Sequence, residues 1–84
     1  MSPGQCREAR ETLKWTRGEL AQAAGVTNWV VDAFEDGREV LPAYEAAMRV
    51  ALEDVGIGFP FEIENGRVSP AGVTYTPPDR TAGH

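Results

Sequence analysis

Few side chains in this 84-residue chain could carry catalysis. The one thiol, Cys6, and the one imidazole, His84, lie near opposite ends, with no second histidine and no base set beside a nucleophile. A single cysteine also excludes an internal disulfide and any metal site built on paired cysteines. Its spacing puts Cys6 on the apolar side of the first helical pattern, where it is expected to act as a small buried hydrophobe. No enzyme activity, cofactor or metal is therefore expected. What remains is recognition by charge and hydrogen bonding. The net charge is −5, yet residues 1–26 carry Arg7, Arg10, Lys14 and Arg17 against Glu8, Glu11 and Glu19, whereas residues 27–54 carry seven acids against Arg38 and Arg49. A chain polarised in this way can offer a local basic edge although its total is acidic.

The scaffold that must position these charges is small. Hydrophobic residues at 42% and charged residues at 25% match ordinary globular domains and argue against a disordered or fibrous chain. A domain of this length hides only roughly 60% of the surface its unfolded chain exposes, so a homodimer is expected. There is no apolar run of the ~20 residues that a membrane span needs, and MSPGQCREAR lacks the apolar core of a signal peptide. No membrane partner is expected, and the location is expected to be cytoplasmic.

Periodicity divides the chain into four helical patterns and a β-like end. Cys6, Ala9 and Leu13 share one stripe of a first helix over Pro3–Lys14, with Arg7, Arg10, Glu11 and Lys14 towards solvent. Trp15 follows as an expected buried staple. Thr16 with Glu19 three residues on matches a capping box for a second helix, which buries Leu20, Ala21 and Ala24. Gly25 suits the left-handed turn after it, Val26 is expected to drop into the core, and Thr27 suits the N-cap of a third helix. There Val30 or Val31 and Phe34 face inward, leaving Asn28, Trp29, Asp32, Ala33 and Glu35 nearer the outside. Two short amphipathic helices separated by Ala24-Gly25-Val26-Thr27 have the layout of a helix-turn-helix. Pro42 opens a fourth helix with Tyr44, Ala47, Met48, Ala51, Leu52 and Val55 on its core stripe, and Gly56 stops it.

Beyond Gly56 the alternation of Phe59, Phe61 and Ile63 with polar residues, followed by Asn65-Gly66, predicts a hairpin. The return strand is either Arg67-Val68 or Gly72–Thr76. The second is favoured because Val73 and Tyr75 restore the alternation, with Ser69-Pro70-Ala71 in a longer loop. The expected organisation is a helical unit over residues 1–56, a β extension over 57–76 and a tail over 77–84. The fold class is mainly α.

Leu20-Ala21, Ala24-Gly25-Val26-Thr27, Val31, Phe34-Glu35 and Gly37-Arg38 together resemble the lambda-repressor-like, or XRE-type, helix-turn-helix family over about Cys6 to Val55. The resemblance implies a four-helix DNA-binding domain here, with a two-stranded β appendage in place of that family's fifth helix. It further implies that Thr27, Asn28, Trp29 and Asp32 or Ala33 face bases in the major groove, while Arg10, Thr16, Arg17 and Arg38 face the DNA backbone. Asn28 is the best specific reader, through its match to adenine. Trp29 is larger than the family's usual reader, and Asp32 repels phosphate unless it accepts from a cytosine amino group.

The implied function is a small transcriptional regulator, a repressor or autoregulator, that binds a double-stranded operator as a dimer. Phe59, Phe61 and Tyr75 are the expected dimer contacts, through strand pairing between two copies. The alternative is a protein-interaction module on the same scaffold, an antitoxin or anti-activator, using an exposed Trp29 and the acids of the third and fourth helices towards a basic partner. Trp29 could instead fold down on its own helix or on the ribbon.

Overall fold

The computed structural model describes residues 1–64, 66–70 and 72–77. It is mainly helical, with the order α1 (Pro3–Thr12), α2 (Arg17–Ala24), α3 (Asn28–Glu35), α4 (Pro42–Asp54), β1 (Ile57–Gly58), β2 (Phe61–Glu64), β3 (Arg67–Pro70) and β4 (Thr74–Tyr75). The expected turn residue Asn65, together with Ala71 and residues 78–84 of the expected tail, lies outside the described residues. Among the described residues no helix is long and apolar enough to cross a membrane.

Local chemistry sets most helix boundaries. Ser2 accepts from the Gln5 amide while the Gln5 side chain accepts from the Ser2 amide, a reciprocal cap that starts α1 with Pro3 in its first turn. That helix stops at Thr12, two residues short of expectation, because Lys14 adopts φ 58 and the Trp15 amide turns back to the Arg10 carbonyl at 2.9 Å. Thr16 and Glu19 form the expected capping box at the start of α2. Gly25 is left-handed with φ 72, and the Val26 amide donates to the Ala21 carbonyl at 3.0 Å, which turns the chain into α3.

The core joins Cys6 and Ala9 of α1, Leu20 and Ala21 of α2, Val30, Val31 and Phe34 of α3, Met48, Ala51 and Leu52 of α4, and Ile57 of β1. Leu13, Trp15 and Val26 pack partly buried against it. Both valines of α3 face inward, as does Ala33, so this short helix buries a wider arc than its apolar periodicity suggests. Tyr44 is a correction to the expected core stripe of α4. It stands 39% exposed on the first turn of that helix, near Trp29.

The strands nest rather than forming one ribbon. β2 pairs antiparallel with β3, placing Phe61 opposite Pro70 and Glu64 opposite Arg67, whereas β4 pairs with β1, placing Ile57 opposite Tyr75. The return strand after Gly66 is therefore the immediate one, and Ser69-Pro70 belong to it rather than to a loop. Val73 and Tyr75 do mark a strand, but its partner lies back at Ile57-Gly58. This inner pair belongs to the body: Ile57 is in the core, Phe59 and Val73 pack against it, and the Gln5 side chain donates to the Gly72 carbonyl at 2.7 Å. Gly56 permits the join. It has φ 104, and a Cβ there would run into the Thr76 carbonyl, whose own amide donates to the Gly56 carbonyl at 2.8 Å.

Candidate functional site

The first turns of α2 and α3 meet where Gly18 lies beside Asn28. A Cβ at Gly18 would lie 3.3 Å from the side-chain Nδ2 of Asn28, so this bare position leaves room for the Asn28 side chain against the start of α2. Thr27, Asn28 and Trp29 are all exposed, Trp29 to 65%. The Thr27 hydroxyl makes no capping bond to α3, so it stays available to an outside group. Thr16 is exposed as well, although its hydroxyl and amide are engaged with Glu19.

Behind this front lies a carboxylate that the sequence reading left on the surface. The Glu35 side chain is fully buried, and two helices, α1 and α2, supply its partners. Arg10 of α1 grips it in a fork, Nε to Oε2 at 2.9 Å and Nη2 to Oε1 at 3.1 Å, while its Nη1 donates to the Trp15 carbonyl at 3.0 Å. Arg17 of α2 approaches Oε1 through Nε at 3.3 Å, Arg7 approaches it at 3.8 Å, and the Cys6 thiol donates to Oε2 at 3.6 Å. Burial pushes the Cys6 thiol up to about 12, and the neighbouring Glu35 charge acts in the same direction. The hydrogen bond to Glu35 raises Arg10 above its ordinary range. A forked, solvent-shielded arginine and carboxylate holds geometry well, and removing one partner strands the other.

This network redistributes the expected roles. Arg10 is corrected from a DNA-backbone residue to a structural one, because all three guanidinium nitrogens point inward and its side chain is only 14% exposed. Ala33 is corrected from a base reader to a core residue, since its relative exposure is 2%. Asp32 is partly exposed, but its Oδ1 accepts from Arg17 Nη1 at 2.9 Å. That bond, followed by the nearby Glu35 charge, raises Arg17 above its ordinary range. Arg17 and Asp32 remain 35% and 48% exposed, a setting in which an ion pair adds little stability. Arg38 is exposed just after α3, its amide bonded to the Ala33 carbonyl at 2.9 Å.

Of the expected dimer contacts, Phe59 packs against the core of its own chain, while Phe61 and Tyr75 stand 65% and 41% exposed on different sheets. Glu35 and Gln5 went unrecognised in the sequence. The Ser2-Pro3-Gly4-Gln5 spacing of a capping box could have revealed Gln5, and the position of Glu35, one turn after Val31 on the inner face, could have revealed Glu35.

Trp29 also lines an open apolar groove of about 590 Å³ with Glu39, Val40, Leu41, Pro42 and Tyr44. Leu41 is 61% exposed, so three large apolar side chains cluster beside the exposed turn of α3. No protein-family model matches the chain, and no curated protein matches it.

Proposed function

We propose that this protein is a sequence-specific DNA-binding regulator, in which α2, the Gly25 turn and α3 act as a helix-turn-helix. The supporting observation is the unobstructed first turn of α3, with Thr27, Asn28 and Trp29 exposed against the capped start of α2. In this reading Asn28 and Trp29 meet base edges. The Arg17 and Gly18 amides at the start of α2, ahead of the Glu19 amide that the Thr16 hydroxyl caps, meet a phosphate together with the Arg17 side chain, and Arg38 meets another. Two copies joined through Phe61 and Tyr75 would present two such helices to successive turns of the major groove, about 34 Å apart.

A titration by fluorescence anisotropy, using DNA from upstream of the gene at low and moderate salt, tests this directly. Binding should weaken with salt, and Arg17→Ala should weaken all sequences alike and reduce the log–log slope by about one. An absence of wild-type binding in low salt would end this reading. The apolar groove around Trp29 favours a second one, a protein-interaction module with an antitoxin-like or anti-activator role. Under that reading Trp29→Ala abolishes capture of a protein partner, whereas under the first it chiefly alters operator preference.

A further inference from the structure

Resting on the DNA-binding reading, we infer that Asp32 is an internal competitor for the phosphate that Arg17 would hold, so that it sets affinity without reading sequence. Arg17 is the cation shared between the buried and the exposed side of the site. Its Nε faces the buried Glu35 carboxylate at 3.3 Å, and its Nη1 donates to Asp32 at 2.9 Å. The first contact fixes where the guanidinium sits; the second occupies an outward-facing donor. Asp32 lies one helical turn behind Asn28, on the side of α3 that continues from the exposed turn. A phosphate approaching the start of α2 therefore meets a carboxylate already in place.

Exposure distinguishes the exchangeable contact from the permanent one. Asp32 is 48% exposed and Arg17 is 35% exposed, so water already screens their pair and a phosphate oxygen can displace it. The Arg10 pair with fully buried Glu35 offers no such exchange. Glu35 also retains Arg17 near the α2 start after Asp32 lets go, which preserves the guanidinium for the incoming anion. Asp36 is the other acid whose charge reaches Arg17. It sits beyond the end of α3 and leaves the exchange to Asp32.

The test compares wild type, Asp32→Asn, Arg17→Ala and the double variant on a specific and an unrelated duplex across a salt series. Asparagine keeps the size of the side chain while removing the charge, and a thermal melt verifies that the fold survives. Asp32→Asn should tighten binding to both duplexes by roughly three- to tenfold in low salt while leaving the salt slope nearly unchanged, because Arg17 holds the same phosphate in both complexes and only its competitor is lost. In the Arg17→Ala background the same change should lose most of that gain. Unchanged or weaker binding by Asp32→Asn, or a gain confined to one duplex, overturns the inference and leaves DNA binding standing. If neither wild type nor Asp32→Asn binds any duplex in low salt, the functional reading fails and this inference fails with it.

Discussion

The two ends of α3 are built for opposite purposes. Its back half, Ala33, Phe34 and Glu35, is buried, and it fastens the helix to α1 and α2 through apolar contact and a shared carboxylate. Its front, from Thr27 to Trp29, is exposed. Eight residues thus hold both an anchor and a display surface. A helix this short gains little stability of its own, so the display exists only because the anchor holds it.

The largest effect should come from cutting the anchor. Glu35→Ala leaves Arg10 facing an apolar interior without its counter-charge and should cost about 3–5 kcal/mol, measured by urea unfolding. A loss below about 1 kcal/mol would show that the arginines find water and that the front does not depend on the back. Next comes a contrast between the inner and outer strand pairs. Gly56→Ala combines a left-handed backbone with a collision against the Thr76 carbonyl and should cost about 2–3 kcal/mol, whereas Gly66, also left-handed but with open space around it, should tolerate alanine for about 1 kcal/mol. Equal losses at the two glycines would mean that the β1–β4 join is no tighter than the outer hairpin.

A third effect tests the chemistry around the carboxylate. The Cys6 thiol rises from 9.0 to about 12 on folding, so between those values the folded chain keeps a proton that the unfolded chain has lost. Stability from this group is fully present below pH 9 and is lost as pH climbs towards 12, with a limiting slope of about 1.4 kcal/mol per pH unit. Cys6→Ala should remove that part of the alkaline slope. A wild-type slope identical to that of the variant would place the thiol in water. The smallest effect belongs to the display surface: Trp29→Ala should change stability by no more than about 0.5 kcal/mol while altering binding. A larger loss in a melt would mean that Trp29 supports the fold after all.

What the sequence disclosed, and what it hid, follows the same division. The Thr16 and Glu19 box, the left-handed Gly25 and the Pro42 start are contracts between near neighbours, and all were legible. The burial of Glu35 was not, because a lone acid at the end of an apolar helix looks solvated until Arg7, Arg10 and Arg17 converge on it from earlier in the chain. The same holds for Ala33, whose small side chain gives no periodic signal either way. For the strands, alternation at Val73 and Tyr75 correctly marked an extended segment, but alternation carries no information about which partner it joins. The assignment of site residues to DNA is an expectation that rests on family resemblance, and the geometry takes Arg10 and Ala33 out of that set.

The hydrogen bond from Gln5 to the Gly72 carbonyl spans 67 positions. A nascent chain can bring the four helices together, α1 included through its Arg10–Glu35 fork, yet the Gln5 contact needs Gly72 and is made only once the chain beyond the helices is present. Early and late parts of the polypeptide thus share one clasp, a closure over a long loop that carries a larger entropic cost than the contacts between neighbouring helices.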